Sequence, residues 1–251
     1  MRCLVFCGDF FGIISVAASA VFSKIARALQ GVCVCVLFCG VCSGVLAKGA
    51  GYENVKIFLD GVHQSHGEQR LVGLEQLRAL AQVDGFYLLR VKEGGEYVFE
   101  YVLSMTDVEM VEVMLRSGAN PNQPFANGGF PLATVFSSIK DYSSVLAQRR
   151  SFEALIESGA DVDKEYFNAS LDNYCYTPIV YLMSFIRLFE RAKYRVYDVH
   201  PSVLDEMYYM LEVMVGRSQK ISGYFCEKKL IDWAKEFRSE RMERFFINRN
   251  S

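Results

Sequence analysis

Hydrophobic and polar positions follow a helical period most clearly in residues 107–122, DVEMVEVMLRSGANPN. Val111, Met114 and Leu115 recur at i, i+3 and i+4, the spacing that places side chains on one face of an α-helix. Gly118 follows the last apolar turn, where glycine closes a helix in the left-handed conformation at low cost. The pattern predicts an amphipathic helix that ends at Gly118.

The same design recurs in residues 151–163, SFEALIESGADVD, where Gly159 takes the place of Gly118. Gly85, upstream, lies 33 residues before Gly118 and follows another apolar segment. Recurrence at such a period indicates an array of small helical units. A unit of this size cannot bury its apolar face alone and must stack on its neighbours.

Two further segments carry helix-start signals. Residues 128–136, GGFPLATVF, contain Pro131, and residues 176–183, YTPIVYLM, place Pro178 directly after Thr177. Proline suits the first helical position because no backbone N–H is needed there, and a threonine hydroxyl accepts a backbone N–H. Both segments are therefore predicted to begin helices.

Together these segments resemble the ankyrin-repeat family. The Gly-Ala-Asn run at Gly118 is similar to the end of that family's outer helix, and residues 177–178 match its Thr-Pro motif. Phe130 replaces the threonine ahead of Pro131, and residues 229–247, KLIDWAKEFRSERMERFFI, resemble a terminal capping repeat. The resemblance identifies the repeat-defining structural residues as Gly118, Pro131, Gly159, Thr177 and Pro178.

The resemblance implies an all-α solenoid of about four to five helix-turn-helix repeats behind an N-terminal hydrophobic segment. Residues 48–92, with helical spacing over 55–62 and over 67–83 around Leu71, are expected to form a divergent helical pair or capping repeat. The repeats themselves are expected at residues 93–125, 126–165, 172–222 and 224–249.

The intervals between closing positions widen along the array, so extra residues must be accommodated. They are expected to lengthen the helices or their connection around residues 140–150, and to extend the loop at residues 164–176 and a helix after Met183. Ser202 is predicted to cap the next helix, and Ser218 to stand where the closing glycine would be.

Residues 31–47, GVCVCVLFCGVCSGVLA, carry no charge and follow Lys24 and Arg27. Basic residues ahead of a short apolar run are typical of a secretory signal, here with cleavage expected after Ala47. On this interpretation the translation start lies near Val21. The alternative is an uncleaved anchor that tethers the chain to a membrane through residues 31–47. In both cases the remainder is expected to be exported, to a periplasm or beyond the cell.

Composition and motifs limit the functions that the sequence supports. The net charge of −2 gives no basic excess for nucleic-acid binding. His63, His66 and Glu68 lie in a polar link that we interpret as an exposed loop rather than a metal site. Cys175 and Cys226 are expected to be free thiols, with a disulfide the alternative in an oxidising space. The sequence contains no catalytic motif, and it predicts a non-enzymatic protein without cofactor, metal or small-molecule substrate.

Partners of ankyrin proteins usually lie along the concave side formed by loop tips and inner helices, as the resemblance implies. The sequence therefore predicts an exported protein-protein interaction module. The alternatives are a secreted effector or inhibitor that regulates an enzyme, and an enzyme with its site in the expanded third repeat. Phe167 and Tyr176 are equally expected to pack beneath the long loop. The predicted partner-binding residues are Phe125, Asn127, Tyr166, Asn173, Tyr174 and Tyr176.

Overall fold

The computed structural model of the 251-residue chain describes residues 52–82, 96–125, 127–168, 174–192, 200–220 and 223–249. Within these residues the fold is all-α apart from one short hairpin. The helices are α1 (Tyr52–Gln64), α2 (Gly67–Ala81), α3 (Val98–Ser104), α4 (Val108–Arg116), α5 (Pro131–Ser137), α6 (Tyr142–Glu157), α7 (Pro178–Ala192), α8 (Pro201–Arg217), α9 (Leu230–Phe237) and α10 (Glu240–Ile247). The strands are β1 (Tyr166–Asn168) and β2 (Tyr174–Tyr176).

The helices pack as successive pairs that stack on one another. Each odd-numbered helix contacts the even-numbered helix that follows it in the chain. Helices α3, α5, α7 and α9 also contact one another in order and form a first layer. Helices α2, α4, α6 and α8 contact one another in order and form a second layer. Each pair buries one apolar face internally and a second face against its neighbours, so the core runs along the stack.

Large fully buried side chains mark this continuous core. Phe58 belongs to α1, Phe99 to α3 and Phe136 to α5, so that successive pairs each contribute a buried ring. Within the third pair the Phe136 and Phe152 rings lie 6.2 Å apart between centroids. Burial of such side chains removes apolar surface from water and supplies most of the free energy that holds the pairs together.

The ends of α4 agree with the local sequence signals. Its N-cap is Asp107, whose carboxylate accepts a hydrogen bond from the Met110 amide at 3.2 Å. At the other end Gly118 has a φ of 99°, and the Ala119 amide donates to the Met114 carbonyl at 3.0 Å. This bond closes a helix through a left-handed residue, a conformation that glycine adopts without steric cost.

Helix α6 closes in the same way. Gly159 has a φ of 90°, and the Ala160 amide donates to the Leu155 carbonyl at 2.9 Å. The expectation that Ser218 takes a glycine's place at the end of α8 is wrong, because its φ is −66° and the chain leaves this helix extended.

Equivalent positions after two of these closing turns bond to the next turn along the stack. The Asn122 side chain accepts from the Asp161 amide at 2.7 Å. Asp163 accepts from the Ser218 hydroxyl at 2.6 Å and from the Gln219 amide at 2.7 Å. Ser218 therefore joins neighbouring turns instead of reversing the chain.

The extra residues before Gly159 lengthen α6 at its start. Asp141 accepts from the Ser144 amide at 2.8 Å, and the Ser144 hydroxyl accepts from the Asp141 amide at 2.9 Å. This reciprocal cap begins the helix at Tyr142, before the apolar run at residues 151–163 that the sequence pattern emphasised.

The start of α8 also differs from the prediction. The cap is His200, whose ring Nδ1 accepts from the Ser202 amide at 3.3 Å, and Pro201 takes the first helical position. Ser202 therefore lies inside the helix. In α2, Leu71 is 66% exposed, and the buried face consists of Gly73, Leu77, Leu80 and Ala81.

The long connection after α6 contains an antiparallel hairpin in which Tyr166 pairs with Tyr176. Cys175 and Cys226 are joined by a disulfide, with their Cα atoms 5.6 Å apart, so the expectation of two free thiols is wrong. The bridge ties β2 to the turn that precedes α9. Among the helices of the described residues, none is both long and apolar enough to cross a membrane.

Several sequence predictions lie outside the described residues. They are the N-terminal segment at residues 1–47, the closing position at Gly85, the continuation of α7 through residues 193–199, the residue Asn173, and the side chains of Phe167 and Tyr174.

Candidate functional site

A groove of about 400 Å³ runs along the first layer, between α3, α5, α7, the turn at residues 127–129 and the hairpin. We call it the front groove. Its walls include Glu96, Glu100, Asn127, Tyr166, Tyr176 and Tyr181, and its base includes Ala133, Thr134 and Ser137.

One wall of the front groove is an aromatic cluster. The Phe130 and Tyr166 rings stack at a centroid distance of 4.0 Å, and Tyr181 meets Phe130 edge-on at 5.6 Å. Tyr176 lies edge-on to Tyr181 at 5.9 Å. Phe130 and Tyr166 are buried, whereas Tyr176 and Tyr181 are half-buried and present part of each ring to the groove. Such packed rings offer contact area with little loss of side-chain entropy.

The phenols of Tyr166 and Tyr181 remain neutral at physiological pH. Burial raises the pKa of Tyr166, and the nearby Asp161 carboxylate adds to the effect. Burial likewise raises the pKa of Tyr181, with Tyr176 contributing. A neutral phenol both donates and accepts hydrogen bonds, so these rings combine apolar faces with polar tips.

The opposite end of the front groove is acidic. Glu100, only 7% exposed, accepts from the Asn127 side-chain amide at 2.7 Å and from the Tyr97 backbone amide at 3.4 Å. Its place in the first turn of α3 suits a negative charge, because backbone N–H groups point toward that end of the helix. Glu96 lies beside it and is half-buried. Among the described residues that line the groove, none is lysine or arginine.

Small residues shape the base and the rim. Ala133, Thr134 and Ser137 leave room above α5. At the rim the Asn127 side chain accepts from the Gly129 amide at 2.8 Å, and a Cβ added at Gly129 would lie 2.9 Å from that same oxygen. A side chain at residue 129 would therefore displace the Asn127 side chain from this hydrogen bond, and glycine keeps the rim low enough for another polypeptide backbone to approach.

The structure brings together three of the six predicted partner-binding residues, because Asn127, Tyr166 and Tyr176 all line the front groove. Phe125 does not face a partner. Its ring is 4% exposed and lies 6.2 Å from the Tyr97 ring, so its place is in the core.

The sequence patterns did not indicate Glu96, Glu100 or Tyr181, which also line the groove. Glu100 and Tyr181 belong to first-layer helices, α3 and α7, whereas the residues predicted from the sequence lie at loop tips. Their signal was present but weak, because each is a polar or amphipathic residue within an otherwise apolar helix.

The histidine link has a structural role. His63 Nδ1 lies 2.8 Å from one Asp107 oxygen, and the Arg70 guanidinium donates to the other at 2.5 Å and to Glu109 at 3.0 Å. Burial works to raise the pKa of Asp107, but the hydrogen bonds from Arg70 and His63 outweigh it and the pKa is lowered. The cluster joins α1 and α2 to the cap of α4. Within the described part of the chain, no group of three or more potential metal ligands converges.

The sequence matches no known protein-family model and no curated protein. The class of protein is therefore inferred from the chain's own fold and groove. The fold defines a mostly helical protein of stacked helix pairs with an acidic, tyrosine-lined groove on one layer.

Proposed function

We propose that this chain is an exported ankyrin-repeat-type protein that binds another protein without acting as an enzyme. The order in which the helices stack supports the repeat assignment. So do the equivalent closures at Gly118 and Gly159, and the equivalent side-chain bonds made by Asn122 and Asp163 to the next turn. These positions fall at the same offset in successive units, as expected for a repeated design.

Export is supported by the Cys175–Cys226 disulfide together with the apolar N-terminal run. Structural disulfides persist in oxidising compartments and are rare in the cytosol. The protein is accordingly proposed to work in a periplasm or outside the cell, released after cleavage or held by an uncleaved N-terminal anchor.

The front groove is the proposed binding site, and its occupant is an extended segment of a partner protein that carries a lysine or arginine. The observation that carries this proposal is that Glu96 and Glu100 lie at one end of the groove while the half-buried rings of Tyr176 and Tyr181 form one of its walls. A cation gains from both the carboxylates and the faces of aromatic rings. The small base residues leave space for the backbone of the segment.

A display library of extended peptides, selected against the full-length chain, tests this proposal. We expect enrichment of peptides with lysine or arginine, and several-fold weaker binding of those peptides to the Glu96→Gln variant. Glu157→Gln removes the same charge from an exposed position on α6 and serves as the matched control. Selection of acidic or uncharged peptides, or equal loss of binding in both variants, would contradict the proposal.

A further inference from the structure

A second cavity, of about 440 Å³, lies between the C-terminal half of α7, the start of α8 and the turn that joins α9 to α10. We call it the arginine pocket. Its buried residues are Leu204, Phe237 and Ser239. Among the described residues, the charged groups that line it are two carboxylates, Glu190 and Glu240, and five arginines, Arg187, Arg191, Arg238, Arg241 and Arg244.

Two of these arginines are already paired. Arg241 donates to Asp205 at 2.8 Å and lies 4.1 Å above the Tyr208 ring, and Arg244 pairs with Glu240 at 3.3 Å. The other carboxylate, Glu190, accepts from the Tyr208 hydroxyl at 2.9 Å.

The remaining three, Arg187, Arg191 and Arg238, have no carboxylate within salt-bridge distance in the part of the chain that the structure describes. Among the described residues, the pocket therefore concentrates more positive charge than the nearby carboxylates neutralise. A cavity lined by one sign of charge attracts ligands of the opposite sign.

Arg187 carries the most specific signal. Its Nε is buried and has no hydrogen-bond acceptor among the described residues. Its guanidinium carbon lies 5.6 Å from the centre of the Phe237 ring, which lines the same pocket. An unpaired buried donor costs free energy, and native structures rarely leave one without an acceptor. An anion in the pocket would supply acceptors beside this guanidinium.

Arg238 lies in the turn between α9 and α10 and lines the same pocket. It adopts the left-handed conformation, with φ 54° and ψ 46°, and its amide donates to the Lys235 carbonyl at 2.9 Å. Thr106 holds a similar φ of 60° in the corresponding turn between α3 and α4, so the left-handed residue belongs to the short turn within a helix pair. At residue 238 that position is occupied by an arginine, and its side chain lines the pocket. Ser239 then begins α10, whose first backbone N–H groups add further positive potential.

We propose that the arginine pocket binds a multivalent phosphate anion, such as a phosphate monoester or a pyrophosphate group. Guanidinium groups match the oxygens of phosphate with paired hydrogen bonds, and three arginines without a carboxylate partner among the described residues exceed the charge that a single carboxylate would neutralise. The ligand is either a free phosphate compound or the phosphate headgroup of a membrane lipid. This site is separate from the front groove and does not depend on the proposed function.

Isothermal titration of the full-length chain with inorganic pyrophosphate, and with inorganic phosphate, at low salt tests the proposal. The single tryptophan, Trp233, provides a second reading by fluorescence, because its ring lies 5.7 Å from Phe237. We expect saturable binding, tighter for pyrophosphate. Arg238→Gly and Arg191→Gln should each weaken it about tenfold. Arg238→Gly should also keep or raise the melting temperature, because glycine suits the left-handed backbone, so lost binding cannot be attributed to unfolding.

Arg116→Gln is the matched control, since Arg116 is exposed on α4 and pairs with Glu112. A second arm uses vesicles of phosphatidylcholine with and without phosphatidic acid. Binding to phosphatidic acid vesicles that Arg238→Gly abolishes, without binding of soluble pyrophosphate, assigns the ligand to a lipid headgroup. Competition by pyrophosphate assigns it to a free compound. Equal weakening by Arg116→Gln, or no saturable binding in either arm, overturns the proposal.

Discussion

At the residue scale, the two closing glycines and Phe125 show where local and tertiary causes separate. The conformation at Gly118 is dictated locally, because a left-handed helix end favours glycine whatever lies around it. Phe125 is buried for a tertiary reason, since the turn at residues 127–129 folds its ring against Tyr97. The helix end at Gly118 can therefore be predicted from the sequence, whereas the burial of Phe125 cannot.

Gly118→Ala and Gly216→Ala form a matched pair, because an added Cβ meets no atom within 4 Å at either position. Gly118 has a φ of 99°, so alanine there is strained and should lower the free energy of unfolding by about 1 kcal/mol. Gly216 lies within α8, where alanine should raise it by about 0.5–1 kcal/mol. Urea unfolding measures both, and effects of equal sign would refute the assignment of these backbone conformations.

Phe125→Ala should lower the free energy of unfolding by about 3 kcal/mol, because it removes a buried ring and leaves a cavity. Tyr142→Ala, at a side chain that is 41% exposed, is the control and should change it by less than about 0.5 kcal/mol. If Phe125→Ala proves as mild as the control, the ring is not part of the core.

At the element scale, the connections between helix pairs depend on a few polar and covalent links. The His63, Arg70 and Asp107 cluster joins α1 and α2 to α4, and the disulfide joins β2 to the turn before α9. Neither link follows from helical spacing. The partners lie far apart in the chain, and strands of three residues are too short to give an alternating pattern. The first residue of α6 likewise does not follow from apolar spacing, because a polar cap rather than an apolar run begins this helix.

The Asp107 cluster should make stability depend on acid pH. The folded pKa of Asp107 is lower than its ordinary value of 3.8, so its contribution is complete above that value and is lost as the pH falls through the folded pKa. Asp107→Asn keeps a good helix cap but removes the ion pair, and should cost about 1–3 kcal/mol at pH 7. Unfolding measured from pH 7 to pH 2 should show a smaller acid loss in the variant than in the parent. If the variant and the parent lose the same stability between pH 7 and pH 2, the Asp107 carboxylate is not the source of the acid loss.

The disulfide closes a loop with a sequence separation of 51. In the chain-entropy description such a cross-link destabilises the unfolded state by about 4 kcal/mol. The double variant Cys175→Ser with Cys226→Ser should therefore unfold at a markedly lower urea concentration than the parent, with 2–4 kcal/mol lost. Alkylation of the unfolded, unreduced protein should leave both cysteines unmodified. Modification of both would show that the thiols are free.

At the scale of the whole molecule, the front groove results from the stacking of helix pairs together with the hairpin and the turn at residues 127–129. In the described part of the chain the first-layer helices contact one another in order, so the residues at one offset in successive pairs line up along that layer. Helical spacing and glycine positions predicted several of the helices, and their arrangement in pairs was an expectation from the family resemblance. The groove was predicted only through Asn127, Tyr166 and Tyr176, because Glu100 and Tyr181 enter it from helix faces whose neighbours are known only once the pairs are stacked.

The most direct test of binding in the front groove is a titration followed by nuclear magnetic resonance. A lysine- or arginine-containing peptide from the display selection is added to the full-length chain, and the chemical shifts of methyl groups and aromatic rings are recorded. Binding in the front groove predicts shifts at Ala133, Thr134 and Tyr181, which line it. It predicts none at Leu146 or Ala147, which line a separate cavity beside α6 in the second layer. Shifts confined to Leu146 and Ala147, with Ala133 and Tyr181 unmoved, would contradict the assignment of the front groove as the binding site.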